Sequence, residues 1–124
     1  MGKAVIGSIL LGSADPERLR AWYIAAFGPP ETGYGFLGFG DVHVLVDGRN
    51  DVSGKNPEPG RYILNFHVED ARASAAHLSE LGAEWLAELE ERPDGWFGTV
   101  LDPDGNYVQI IELSDEYFAR QQDE

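Results

Sequence analysis

Apolar residues along the chain fall into short runs with two different periods, and the order in which the periods alternate occurs twice. The first round opens with the apolar run Ala4 to Leu11 and the turn-like Ser13-Ala14-Asp15-Pro16. A stretch with helical spacing follows, in which Leu19, Trp22, Tyr23 and Ala26 share one face. Asp15 can cap this helix through its side-chain oxygen, and Pro16 suits the first helical position because its missing N–H has no partner there in any case. Gly28 supplies a left-handed stop and Pro29-Pro30 prevents continuation, so a helix is expected over Pro16 to Phe27. Two aromatic and β-branched runs come next, Tyr34 to Phe39 and Val42 to Val46, separated by Gly40-Asp41.

The second round has the same order. Tyr62 to Val68 reads as a strand, Asp70 as a cap, and Ala71 to Leu81 as a helix that stops at Gly82. The runs Glu84 to Leu89, Trp96 to Leu101 and Tyr107 to Leu113 follow, broken by Pro93-Asp94-Gly95 and by Asp102-Pro103-Asp104-Gly105-Asn106. Helix starts and stops recur roughly 55 residues apart, which predicts two copies of a β-α-β-β-β module. We place them at about 1–47 and 61–113 of one domain spanning 1–113, joined by a Gly- and Pro-rich surface loop over 48–60 and followed by an acidic tail over 114–124.

Composition narrows the function classes. A chain of 124 residues, 43% hydrophobic, can fill one core. Without cysteine there is no disulfide framework and no thiolate chemistry, and the expected location is cytoplasmic. Twenty-two acidic against nine basic residues give a formal net charge of −13, which would repel nucleic acid and anionic membranes. No apolar run is long enough to span a bilayer. The same charge would concentrate a cationic small molecule, although an acidic surface also serves solubility alone.

Asp15-Pro16-Glu17-Arg18 opening the first helix, Trp22-Tyr23 within it, Phe66-His67-Val68-Glu69-Asp70 leading into the second, and Leu101-Asp102-Pro103-Asp104-Gly105-Asn106 before the last strand together resemble the vicinal oxygen chelate superfamily of glyoxalases, bleomycin-resistance proteins and ring-cleaving dioxygenases. The resemblance covers nearly the whole chain. It implies an α+β fold in which two β-α-β-β-β modules form a cup-shaped curved sheet around a ligand site, in a protein that usually forms a homodimer.

Catalytic members of that superfamily hold a divalent metal through His or Glu on the first and last strands of each module. Carried over, those positions fall on Ser8, seven residues before Asp15; on Ile63, seven before Asp70; on Gln109, four after Gly105; and on Val44 or, one residue away, His43. A hydrocarbon, two neutral oxygens and at most one imidazole fall short of the three protein ligands of a catalytic zinc. We therefore expect no metal and no cofactor. His77 reads as a surface residue of the second helix.

By the two-residue period of a strand, the set facing the cup is Ser8, Leu10, Val44, Ile63, Asn65, His67, Tyr107, Gln109 and Ile111. It is apolar with a few neutral polar groups, as in small-molecule pockets, although a cup filled by its own side chains would read similarly. The resemblance implies that Tyr34, Phe36, Phe39, Trp85, Trp96 and Phe97 lie on strands forming the mouth and the neighbouring subunit's contribution, and Trp96, directly after a turn, is the leading candidate for an exposed ring. The expected ligand-binding residues are Ser8, Phe36, Phe39, Val44, Asn65, His67, Trp85, Trp96, Tyr107 and Gln109. The function this implies is metal-independent binding of an aromatic or cationic compound such as an antibiotic. An enzyme of the glyoxalase or dioxygenase type, a lyase or isomerase with His67 as general acid or base, is the alternative.

Overall fold

A computed structural model describes residues 2–122. The chain divides into two compact units at Asn56/Pro57. Among the described residues no helix is long and apolar enough to cross a membrane.

In the first unit, strand β1 (Ser8–Ser13) is followed by helix α1 (Pro16–Phe27), a 3₁₀ turn over Gly33–Gly35, β2 (Leu37–Phe39) and β3 (Val42–Gly48). The sheet order is β1-β3-β2, with β1 parallel and β2 antiparallel to β3. Helix α1 has the bounds expected from its caps. The Asp15 side chain accepts from the Arg18 backbone N–H at 3.4 Å, and Gly28, at φ 56°, donates its own N–H to Ile24. Its apolar face packs on β1 and β3. Leu19, Tyr23 and Ala26 are buried there, as are Leu37, Val44 and Val46 of the sheet. Trp22 meets Tyr23 edge to face at 4.9 Å between ring centroids, and Phe27 does the same with Phe39 at 6.3 Å.

The second unit contains β4 (Leu64–His67), α2 (Ala71–Glu80), β5 (Glu84–Arg92), β6 (Gly95–Leu101), β7 (Tyr107–Leu113) and α3 (Asp115–Gln122). Its sheet order is β4-β7-β6-β5, with β4 parallel to β7 and the remaining pairs antiparallel. Asp70 caps α2 by accepting from the Ala73 N–H at 3.1 Å. Leu78 and Ala71 of α2 are fully buried, and beneath the helix Val100, Val108 and Ile110 are buried too. The turn into β7 is held by Asp102, whose carboxylate accepts from the backbone N–H groups of Asp104 and Asn106 and from the Asn106 side-chain amide at 2.9–3.0 Å. Those bonds satisfy a carboxylate that is only 4% exposed.

Mixed α and β structure is present as expected, with two differences in detail. The first module lacks a full strand between its helix and β2; an isolated bridge from Glu31 to Leu37 stands in its place. The acidic segment after Leu113, expected as a tail, forms α3. Ser114 caps it by accepting from the Tyr117 N–H at 3.1 Å, and Arg120 pairs with Asp94 of the β5–β6 turn.

Candidate functional site

Each sheet has one face under its helix and one open face, and strand pairing decides which residues belong to which. In the second unit, Glu112 accepts from the Ala71 N–H at the start of α2 at 2.8 Å, so Val108, Ile110 and Glu112 lie on the helix side. The alternate residues Tyr107, Gln109 and Ile111 therefore belong to the open face, where Tyr107 and Gln109 are half-buried and Ile111 is buried. Three rows cross it. Tyr107 pairs with Leu101; Asn65, Gln109 and Thr99 align; and His67, Ile111 and Phe97 align. Ile63 has the same parity, directly before β4, and is exposed. The middle row consists of two amides and a hydroxyl, and no hydrogen bond joins these side chains to any described residue. Apolar or aromatic side chains flank it on both sides.

At the edge of this face the Arg92 guanidinium lies 5.3 Å from the centre of the Phe97 ring. Its ion-pair partner among the described residues is Glu90, at 3.6 Å. His67 is exposed and has no side-chain hydrogen bond among the described residues, so no group orients its imidazole.

In the first unit the open face carries Ser8 beside His43 and Leu10 beside Leu45. Phe36 meets the His43 ring at 6.2 Å, and Thr32 Oγ1 lies 3.5 Å from His43 Nδ1. The Arg49 stem lies over Gly12, while its guanidinium forms two bonds of 2.8 and 2.7 Å with Asp51. That bond and charge hold the Asp51 carboxyl below its ordinary pKa and raise that of Arg49.

The aromatic and inward assignments need four corrections. Val44 is 3% exposed and pairs with the buried Leu37, so it faces α1, away from Ser8 and Leu10. Phe39 is also on the helix side, against Phe27. Trp85 donates its indole N–H to Ser79 of α2 at 3.0 Å and lies against Gly98, which removes it from the open face. Trp96 is on the same side as Trp85, and Arg72 of α2 covers its ring at 5.2 Å. Trp96 instead lines a groove of about 580 Å³ between the β5–β6 turn and the start of α3, together with Glu91, Glu112, Asp115 and Glu116. Phe97, Thr99 and Leu101 take the places that sequence periodicity left empty. His77 is exposed on α2, and Tyr34 has no described side chain.

The metal positions implied by the resemblance do not fit a metal. With Asp15 superposed on Asp70, Leu10 corresponds to Asn65, and strand pairing then makes Leu45 the counterpart of Gln109. The fourth position is thus a hydrocarbon, with His43 two residues earlier on the same face. Ser8, Ile63 and Gln109 add no charged donor. Among the described residues no three His, Cys, Asp or Glu side chains gather closely enough to hold a metal ion.

A family model described as a glyoxalase-like domain matches residues 8–111. Among solved structures, a glyoxalase-related enzyme from Fulvimarina pelagi superposes with a TM-score of 0.70 at 21% identity, covering 87% of each chain. TnmS3, an antibiotic binding protein from Streptomyces sp. CB03234, gives 0.68 at 20% identity, covering 92% of this chain and 99% of its own. A glyoxalase/bleomycin resistance protein/dioxygenase family enzyme from Burkholderia phytofirmans PsJN gives 0.73 at 18%, covering 90% and 100%. No curated protein matches by sequence.

Proposed function

The chain belongs to the glyoxalase-like domain family, within the vicinal oxygen chelate superfamily, and from that premise we propose that it binds a planar small molecule on the open face of its second sheet without a metal. The observation that carries this reading is the row Asn65, Gln109 and Thr99, whose polar side chains have no hydrogen bonds within the described chain and lie between rows of mainly apolar and aromatic residues. An apolar surface with a few convergent polar groups is the usual make-up of a ligand site. A planar molecule could lie on Tyr107 and Leu101, beside Phe97, and present carbonyl or hydroxyl groups to the row. Similarity to an antibiotic binding protein makes antibiotics the first compounds to try.

The enzyme alternative needs His67 to exchange protons in a defined direction. Its imidazole has no side-chain hydrogen-bond partner among the described residues, so we favour binding. Pairing of two copies is part of the proposal, because β1 and β4 end their sheets with unpaired edges. Sedimentation at micromolar concentration should then give a mass near twice 13.7 kDa. Binding itself is tested by calorimetry with a panel of planar antibiotics. Tryptophan fluorescence is a poor reporter, since Trp85 and Trp96 both lie on the helix side. Saturable binding that is lost in Gln109→Ala and Thr99→Val supports the reading, and binding indifferent to both contradicts it.

A further inference from the structure

We propose that Arg92 makes the open face of the second sheet selective for planar aromatic anions, molecules with a carboxylate or phenolate on a ring system, over cations of the same shape. The proposal rests on that face being the ligand site. Phe97 is the aromatic ring of its outer row, and the guanidinium of Arg92 lies over it. The negative ring face that would attract a cationic ligand already holds a cation. A second positive charge would have to displace Arg92 or sit beside it.

Glu90 shows what the guanidinium takes as a partner. Its carboxylate stands 3.6 Å away, with the Arg92 and Glu90 side chains 53% and 67% exposed. So exposed and long an ion pair contributes little and exchanges readily with other anions. The guanidinium keeps a planar fork of donors that matches a carboxylate in two bonds. A flat ring lying along the amide and hydroxyl row, beside Phe97, would bring an acidic substituent to this fork.

The net charge of −13 acts in the opposite direction, and part of it is local, since Glu90 lies 3.6 Å from Arg92 and Glu91, Glu112, Asp115 and Glu116 line the groove that Arg92 borders. At physiological salt repulsion from charges beyond about 8 Å is screened, while a direct guanidinium–carboxylate contact is weakened less. The local contact therefore decides the preference, and the diffuse charge slows approach. Of the aromatic or cationic ligand that composition left open, this selects the aromatic part and rejects the cationic one.

The test uses three probes of one shape, anthracene-9-carboxylate, anthracene-9-methanol and (anthracen-9-yl)methylammonium, titrated into the full chain by calorimetry at 0.15 M salt. The carboxylate should bind about tenfold or more tightly than the ammonium, a ratio typical of one charge-assisted contact. Arg92→Gln should abolish the carboxylate's advantage over the alcohol, and Arg92→Lys should keep part of it, since charge remains and the planar fork is lost. An ammonium that binds as tightly as the carboxylate, or an order of affinities unchanged in Arg92→Gln, overturns the proposal. If the alcohol binds but the charge order is absent, selectivity alone fails. If none of the three binds, the reading of the face fails with it.

Discussion

The two units follow one plan as far as the end of their helices and then diverge. Each has a strand, an aspartate cap and a helix whose main buried side chain lies eight residues after the cap: Tyr23 in the first, 1% exposed, and Leu78 in the second, 0% exposed. After that, nine residues, 28–36, separate α1 from β2, whereas fourteen, 81–94, separate α2 from β6. Nine residues containing Pro29-Pro30 leave room for a 3₁₀ turn and one bridge, because proline cannot donate to a sheet ladder. Fourteen residues build the long β5–β6 hairpin. The consequence for function is that the second sheet gains Glu90, and Arg92 over Phe97, beside its amide row, while the first sheet carries Ser8, Leu10, His43 and Leu45. The two units share a plan, and the ligand chemistry we propose is concentrated in the one with the extra strand.

If the hairpin distinguishes the units, its turn should be the more sensitive one. Gly95 has φ 144°, and a Cβ there would fall 2.0 Å from the Glu112 carbonyl oxygen, whereas Gly40, at φ 64° in the β2–β3 turn, has open space around it. Gly95→Ala should therefore cost more than about 3 kcal/mol in denaturant unfolding, combining strain with a backbone clash. Gly40→Ala should cost about 1 kcal/mol, the penalty of the left-handed region alone. Equal costs would mean that the hairpin is not held as described.

The matched core positions come next. Leu78→Ala should lose about 2–5 kcal/mol, by removing buried methyl groups and leaving a cavity. Tyr23→Ala should lose about 3–5 kcal/mol, since a larger ring disappears from beneath α1. Unfolding midpoints of both variants, measured by circular dichroism, check this order. A smaller difference is expected between the caps. Asp15→Ala and Asp70→Ala should each cost about 1 kcal/mol, with Asp70 the more sensitive because its bond is the shorter.

The smallest effect belongs to the exposed Arg49–Asp51 pair. The Asp51 carboxyl lies below its ordinary pKa when folded, so what it adds to stability is present above the unfolded pKa of about 3.9 and is lost as pH falls through the depressed folded value. Asp51→Asn should lower stability slightly near neutral pH, flatten the acid limb of the stability curve and leave stability unchanged below the depressed folded pKa. A variant that loses more stability in strong acid than at pH 7 would contradict the assignment.

The local grammar of helices and turns was readable from the sequence because it depends on neighbouring residues. Asp15 with Pro16, Gly28 with Pro29, and Asp102 through Asn106 each determine a geometry over a few positions, and the structure has them where expected. Which face a strand residue occupies was less readable, since a slip of one residue inverts it. Trp96 and Phe97 are adjacent and lie on opposite faces, and nothing in their order shows which one α2 covers. Trp85 was obscured by the register shifts between Trp85, Ala87 and Glu90, which break the period of two along β5. Val44 was misplaced by the same one-residue ambiguity that set it against His43. Helix α3 has a local signal of its own: Ser114 followed by Asp115 and Glu116 is an N-cap with an acidic first turn.

The central claim is that a planar ligand lies on the open face of the second sheet and not in the groove beside Trp96. A ¹⁵N correlation spectrum recorded during titration with anthracene-9-methanol separates the two directly, because each site has its own side-chain N–H reporters. The side-chain amide signals of Asn65 and Gln109 should move with the probe while the Trp85 and Trp96 indole signals stay in place. A Trp96 indole that shifts while both amides remain still would put the ligand in the groove and contradict the claim.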